Sequence, residues 1–189
     1  FAALKRDGSV VTWGQSSTGG DSSAVSSQLS SGVTEIYSYG AGFVAVKSDG
    51  AAVVWGGSTD NPDLSSGFSF SKIYPNGDAI AALMNDGSVI SWGEDNWIFS
   101  EVADQLSSGV TEIYTNYLRD EGSAFAALKS DGSVVSWGYP SVGGDSSDVS
   151  SELSSGVTKI FSATGMEGGA FAALKSNGSV VTWGQSSTG

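Results

Sequence analysis

Neither cysteine nor histidine occurs among the 189 residues of the chain. Without cysteine there is no disulfide framework and no thiolate metal site. Without histidine the usual general base is missing, and no side chain titrates near neutral pH at its ordinary pKa. Basic residues are scarce as well: 8 Lys and Arg against 20 Asp and Glu give a formal net charge of −12. Such a surface repels phosphate backbones and anionic lipid, so nucleic acid is not an expected partner, and the charge keeps an extended molecule soluble. No run reaches the ~18 apolar residues of a membrane-spanning helix, so membrane insertion is not expected either. Proline is limited to 3 residues whereas glycine reaches 27, a balance that suits many tight turns. The chain begins with Phe1 and carries no recognisable leader, and so reads as a mature form or an excised fragment.

What is present is one phrase written five times. FAALKRDGSVVTWG starts at Phe1, FVAVKSDGAAVVWG at Phe43, IAALMNDGSVISWG at Ile80, FAALKSDGSVVSWG at Phe125 and FAALKSNGSVVTWG at Phe171. The closing tryptophans, Trp13, Trp55, Trp92, Trp137 and Trp183, are 42, 37, 45 and 46 residues apart. Self-similarity at this period is the mark of propellers, solenoids and blade arrays, whose units bury their apolar faces only by stacking on one another. Residues 1–189 therefore read as a single array of tandem units, not as an ordinary globular domain.

Each phrase holds two short runs around Asp-Gly (Asn177-Gly178 in the last), a hairpin signal because glycine supplies the positive φ of a tight turn. Neighbours such as Val134 and Val135, or Ala127 and Leu128, are both apolar yet point to opposite faces of a strand. A sheet apolar on both faces must be covered on both. Upstream of four hairpins stands a further strand: SGVTEIYS (31–38), SFSKIYP (69–75), SGVTEIYT (108–115) and SGVTKIFS (155–162). The expected fold class is thus all-β, with three-stranded antiparallel blades in a propeller or an open spiral. Linkers such as GGDSSAVSSQLSSG (19–32) and GGDSSDVSSELSSG (143–156) predict short rim helices. Asp21 and Asp145 stand as their N-caps, Gly32 and Gly156 stop them, and Val25 with Leu29 and Val149 with Leu153 anchor them.

The combination SGVTxI, then xFAALKSDGSVVxWG, resembles the repeat of the regulator of chromosome condensation superfamily. It is most similar to the short-repeat branch that contains a secreted β-lactamase inhibitor propeller. The resemblance covers essentially the whole chain and implies three-stranded blades around a central axis. It implies no chemistry, because function does not travel with such a fold. Propellers of that superfamily usually have seven blades, against five hairpins and four opening strands here. The nucleotide-exchange role of the eukaryotic members finds no matching residues. Residues 1–19 and 171–189 differ only at Arg6/Ser176 and Asp7/Asn177, so both ends fall at one phase of the repeat. An open array, or a window in a longer or polymerising one, explains this better than a small closed ring.

No catalytic residues are expected, and the chain is not read as an enzyme. Serine abounds without a histidine base, and Lys5, Lys47, Lys129 and Lys175 are repeated positions ahead of a turn, which marks scaffold. The paired carboxylates Asp120 and Glu121 have nothing in the sequence to place them around a cleft. No cofactor is expected; a calcium site would draw on Asp21, Asp145 and Asp148, whose plainer role is capping and solubility. The five repeat tryptophans are expected to be core. Candidate partner contacts are the residues that break the repeat: Tyr39, Trp97, Phe99, Tyr117, Arg119 and Tyr139, with Met166 similarly placed, since aromatics and arginine on loops dominate binding hot spots. Packing in a longer rim helix, with Val102 and Leu106, is the plainer role for Trp97 and Phe99. The function expected is a non-catalytic, extracellular or cell-surface structural protein forming a blade array or filament by self-association. The alternative is a propeller-type module that binds another protein, inhibitor- or adhesin-like, through its variable loops.

Overall fold

The structure, a computed structural model, describes residues 1–57, 62, 64, 67–93, 99–119, 121–166 and 168–185. Its strands run in chain order as β1 (Ala2–Leu4), β2 (Val10–Thr12), β3 (Val33–Tyr39), β4 (Gly42–Lys47), β5 (Ala52–Gly56), β6 (Phe70–Asn76), β7 (Ala79–Met84), β8 (Val89–Gly93), β9 (Val110–Leu118), β10 (Gly122–Lys129), β11 (Val134–Gly138), β12 (Val157–Thr164), β13 (Gly169–Lys175) and β14 (Val180–Gly184). They form separate antiparallel sheets: the β1–β2 hairpin, then the blades β3-β4-β5, β6-β7-β8, β9-β10-β11 and β12-β13-β14. The all-β blade architecture expected from the repeat is what the chain adopts. The first unit is two-stranded, and the other four have three strands each.

Two-sided apolarity is resolved by stacking. Each of four buried clusters sits between consecutive units. Leu29, Val33, Ala45, Val53 and Trp55 close on Ala2 and Val10 of the first hairpin. Tyr39, Val44 and Ala52 meet Ile73, Ile80, Ala82 and Trp92. Tyr74, Ala81 and Leu83 meet Ile113, Phe125, Ala127 and Trp137. Ala124, Ala126 and Leu128 meet Ile160, Phe171, Ala173 and Trp183. Small alanines on the middle strands let neighbouring sheets approach, and a large tryptophan per blade, paired with a phenylalanine or with Ile80, fills the rest.

The hairpin turns differ in detail from a two-residue Asp-Gly turn, which would hold the Asp at positive φ. Among the described residues only glycines have positive φ, Gly8 at 77° and Gly132 at 78° among them. The Lys5 N–H donates to Ser9 O at 2.8 Å and the Gly8 N–H to Lys5 O at 3.0 Å, so the loop is one residue longer and closes on a left-handed glycine. A Cβ on Gly8 would stand 2.9 Å from the Gly32 backbone nitrogen of the next unit. The Gly8 carbonyl meanwhile accepts the Val33 N–H at 3.0 Å, and Gly87 with Val110 and Gly132 with Val157 repeat that bond at 2.9 Å. The turn is therefore also a joint between blades.

The rim linkers are single turns. Ser23–Val25, Ser147–Val149 and Glu152–Ser154 are 3-10 turns, while Phe99–Val102 is one α turn continued by Ala103–Leu106. Asp21 and Asp145 are not at the cap positions, which Ser22 and Ser146 occupy. Each Asp instead accepts the backbone N–H two residues on, from Ser23 and Ser147, at 2.9 Å, the Asx-turn alternative to a cap. Leu29, Leu106 and Leu153 are buried and pin the linkers to the sheets.

Candidate interaction surfaces

Two surfaces stand out: the face on which blades stack, and the loop end of the blades. The first is built from the Phe–Trp pair of four hairpins and from Ile80 with Trp92 in the remaining one. The rings stack at 5.3 Å in Phe43–Trp55, 5.1 Å in Phe125–Trp137 and 5.4 Å in Phe171–Trp183. The preceding linker covers them. Trp55 Nε1 donates to Gly19 O and Trp183 Nε1 to Gly143 O, both at 3.0 Å. The repeat lysine adds a second link to the same linker. Lys47 Nζ donates to Gln28 O at 3.1 Å, Lys129 Nζ to Gln105 O at 2.6 Å, and Lys175 Nζ to Glu152 O. Lys129 also borders a groove of about 770 Å³ on the rim, with Ser133, Ser136 and Ser147. Its ammonium is held by the Gln105 carbonyl rather than by a serine hydroxyl.

The first hairpin carries the same pair, stacked at 5.5 Å, without the cover. Phe1 is 75% and Trp13 51% exposed, against 1% for Phe171 and 6% for Trp183. Trp13, expected as core, is thus a surface residue. The reason is geometric: the side of β1–β2 away from β3 meets no linker among the described residues. The other four repeat tryptophans are buried.

The loop end brings together some of the repeat-breaking residues. β9 and β10 are 9 and 8 residues long, against 8 and 7 for β12 and β13 and 7 and 6 for β3 and β4, so among the described residues this blade has the longest strand pair. Tyr117 and Arg119 lie at its tip and are exposed. The Tyr117 ring lies over Gly77 of the preceding blade, where any Cβ would collide with it. Gly77 O in turn accepts the Gly40 N–H at 2.6 Å, so the loops of three blades are joined. Tyr139 is half-buried with its ring against Gly122. Two other candidates are packing residues. Tyr39 is buried in the cluster between the second and third units, and Phe99 packs edge-on against Trp137 with ring centroids 5.8 Å apart. Trp97 and Asp120 lie outside the described residues, and Met166 is fully open to solvent.

Sequence reading missed a buried amide ladder. Asn76 Nδ2 donates to Asn116 O at 3.0 Å and Ala124 O at 2.9 Å, both in the next blade, and Ser123 Oγ returns a 2.6 Å bond to Asn76 O. Asn116 Nδ2 reaches Ala163 O at 3.0 Å, Ala170 O at 3.2 Å and Val142 O at 3.2 Å, while Thr164 Oγ1 donates to Asn116 Oδ1. The signal was present: both asparagines follow the Ile-aromatic pair by the same three residues from Ile, where Tyr39 and Ala163 stand in the other blades.

Opening strands also alternate in charge from blade to blade, as Glu35, Lys72, Glu112 and Lys159. The Tyr37 hydroxyl donates to Glu35 and the Tyr114 hydroxyl to Glu112 at 2.8 Å, while Lys72 and Lys159 lie 4.7 and 4.9 Å over the Tyr74 and Phe161 rings. Burial, then the bond to a carboxylate, pushes both Tyr37 and Tyr114 up to about 12. An unfolded tyrosine ionises near 10, so the folded state holds these protons after the unfolded chain has begun to lose them. Their contribution is complete below about 10 and is lost as pH rises towards about 12. Denaturant midpoints should fall through that window, and Tyr37→Phe with Tyr114→Phe should flatten the fall. An unchanged slope would remove these bonds as the cause.

Among the described residues, no group of three or more acidic side chains is placed to hold a metal ion, and no helix is long and apolar enough to cross a membrane. Asp7, Asp86 and Asp131 are held below the usual carboxylate range by the hydroxyl and backbone N–H of the serine two residues on. They are committed to their own turns.

No family model matches the chain and no curated protein matches it. Solved structures do. Prp20p from Saccharomyces cerevisiae, the yeast RCC1, aligns with 96% of this chain and 54% of its own at 18% identity and a TM-score of 0.51. That protein was described with its binding to Gsp1p and histones. Human WBSCR16 aligns over 80% of this chain and 47% of its own at 20% identity and a TM-score of 0.45. The ectodomain of the Physcomitrella patens receptor kinase CR4 aligns over 81% and 39% at 16% identity and a TM-score of 0.46. The chain spans about half the length of these structures or less. The likeness to Prp20p shows an RCC1-like repeat fold, and shows the fold alone.

Proposed function

We propose that the chain is a non-catalytic structural repeat protein that works outside the cell or on its surface by extending blade upon blade. One observation carries this. Each of the four buried clusters lies between consecutive units, so every blade hides its apolar faces against a copy of itself, and units of this kind are held mainly by their contacts with neighbours. Engagement of Lys47, Lys129 and Lys175 and of the turn aspartates Asp7, Asp86 and Asp131 in structural bonds supports a scaffold role for these side chains. Light scattering and electron microscopy over a concentration series test the proposal. Growth of regular linear particles is expected, and a monomer at every concentration would overturn it.

A second reading has its own observation. The longest strand pair ends near Tyr117 and Arg119, both exposed, with Tyr117 seated on Gly77 of the preceding blade, so the tip is both open and braced. This suits a protein-binding module of the inhibitor-like, short-repeat branch that the sequence resembles. A panel of β-lactamases is the direct assay. Inhibition that survives Tyr117→Ala combined with Arg119→Ala would exclude this tip as the contact.

A further inference from the structure

Asn-Gly occurs twice in the chain, at Asn76-Gly77 and at Asn177-Gly178. A glycine after asparagine has no Cβ to crowd its backbone nitrogen, and that nitrogen can attack the amide carbon before it. By sequence the two sites are alike, and the fold separates them. We propose that Asn177 is a self-modification site, at which the turn between β13 and β14 deamidates to aspartate or isoaspartate with water as the only co-reactant.

The Gly178 nitrogen loses its proton to hydroxide and bonds to Asn177 Cγ. The Cγ–Nδ2 bond then breaks, and ammonia leaves with a proton from water. A five-membered succinimide remains. Water adds to one of its two carbonyl carbons and cleaves the bond from that carbon to nitrogen, giving aspartate at Cγ and isoaspartate at the backbone carbon. One water is consumed, one ammonia is released, and nothing is oxidised or reduced.

Negative charge develops on Oδ1 during the attack. In the folded chain that oxygen already accepts the Ser179 N–H at 2.9 Å and the Ser179 hydroxyl at 2.7 Å. Two donors at this range, aimed at the atom that becomes an oxyanion, stabilise such an addition. The departing Nδ2 donates to no group among the described residues. Asn177, Gly178 and Ser179 are exposed, so water reaches all three. Exposure belongs to the position: Asp7 and Asp131, each with a following unit packed against its glycine, are exposed too. One bond opposes the attack, from the Gly178 N–H to Lys175 O at 2.9 Å, and it spans residues exposed from Ser176 to Gly178.

Asn76 is the opposite case. Its side chain is buried, and its Nδ2 is held by Asn116 O at 3.0 Å and Ala124 O at 2.9 Å. The Tyr117 ring lies over Gly77. Ring closure there must break two buried hydrogen bonds. The aspartate product at residue 177 has its precedent in the other turns. Asp131 Oδ1 accepts the Ser133 N–H at 2.9 Å and the Ser133 hydroxyl at 2.6 Å, the same bonds made charge-assisted. Deamidation thus writes into the fifth phrase the residue that the other four carry, and adds one negative charge to a chain already at −12. Isoaspartate instead puts an extra carbon into a turn closed by the Lys175 N–H on Ser179 O at 2.9 Å, and loosens it.

The test is a time course on the full chain in mildly alkaline buffer, folded and in urea, with the mass gain at each asparagine read after proteolysis. In the folded chain Asn177 is expected to convert roughly tenfold or more faster than Asn76, a factor that two buried hydrogen bonds supply. In urea the two rates should converge. Ser179→Ala removes the hydroxyl donor. Ala51 stands at that position in the second hairpin with its N–H still bonded to Asp49, so the variant keeps the turn. It should slow conversion at residue 177 several-fold, and only in the folded chain. Asn76 reacting as fast as Asn177 in the folded chain would overturn the proposal, and so would a folded Ser179→Ala chain that converts at the unaltered rate.

Discussion

Trp137→Ala should destabilise the protein by roughly 3–5 kcal/mol, the range for deleting a large aromatic from a well-packed core. Trp137 has no solvent exposure, stacks on Phe125 at 5.1 Å and receives the edge of Phe99 at 5.8 Å. Two further clusters of contacts converge on it, from Leu106 in the rim linker and from Ala81 and Leu83 of the preceding blade. None of these neighbours can close a hole of indole size, because alanines carry no rotamers and the linker is fixed by its own buried leucine. The same change at Trp13 should cost below about 1 kcal/mol in the monomer, since half of its surface is already in water and little cavity would form. Urea midpoints of the two variants provide the comparison. Equal losses would mean that the tryptophan acts within its own hairpin and not through blade stacking.

Asn116→Ala should cost roughly 1–3 kcal/mol, the penalty for leaving buried polar groups without partners. Its amide bridges carbonyls of Ala163 and Ala170, which belong to two different strands of the last blade. Alanine stands at this position in the last blade itself, at Ala163, so the backbone tolerates the substitution and the loss reports the amide. Amide hydrogen exchange should quicken in β12, β13 and β14 and stay unchanged in β3, β4 and β5, because units in an array feel mainly their neighbours. Uniform acceleration across all blades would show a globally cooperative fold instead. Asn76→Ala is the parallel case one blade earlier, with Asn116 O and Ala124 O losing the donor.

The legible part of this molecule lies in what repeats. Val134 beside Val135, or Ala127 beside Leu128, sets apolar side chains on both faces of a strand, and in a chain of repeated hairpins the neighbouring units are what covers both. The lysine before four of the five turns reads as scaffold for the plain reason that it recurs, and the bonds of Lys47, Lys129 and Lys175 to the Gln28, Gln105 and Glu152 carbonyls agree with that. Single positions were less legible. Tyr39 and Tyr117 look alike as aromatic exceptions in a polar stretch, yet one is buried between blades and the other lies open on a glycine. Which of them meets solvent depends on what the neighbouring blade sets opposite, Ile80 and Trp92 for Tyr39 and only Gly77 for the Tyr117 ring, and those residues are distant in the chain.

Local chemistry and periodicity were sufficient for the blade: two-faced strands, a left-handed glycine after each Asp or Asn, and linkers pinned by one leucine. These are short-range facts, carried by neighbours a few residues apart. Packing across blades settled the rest. The identical aromatic pair is core at Phe171–Trp183 and surface at Phe1–Trp13 because burial is a property of what stands opposite, and an asparagine becomes a rivet only when the next sheet presents carbonyls to it.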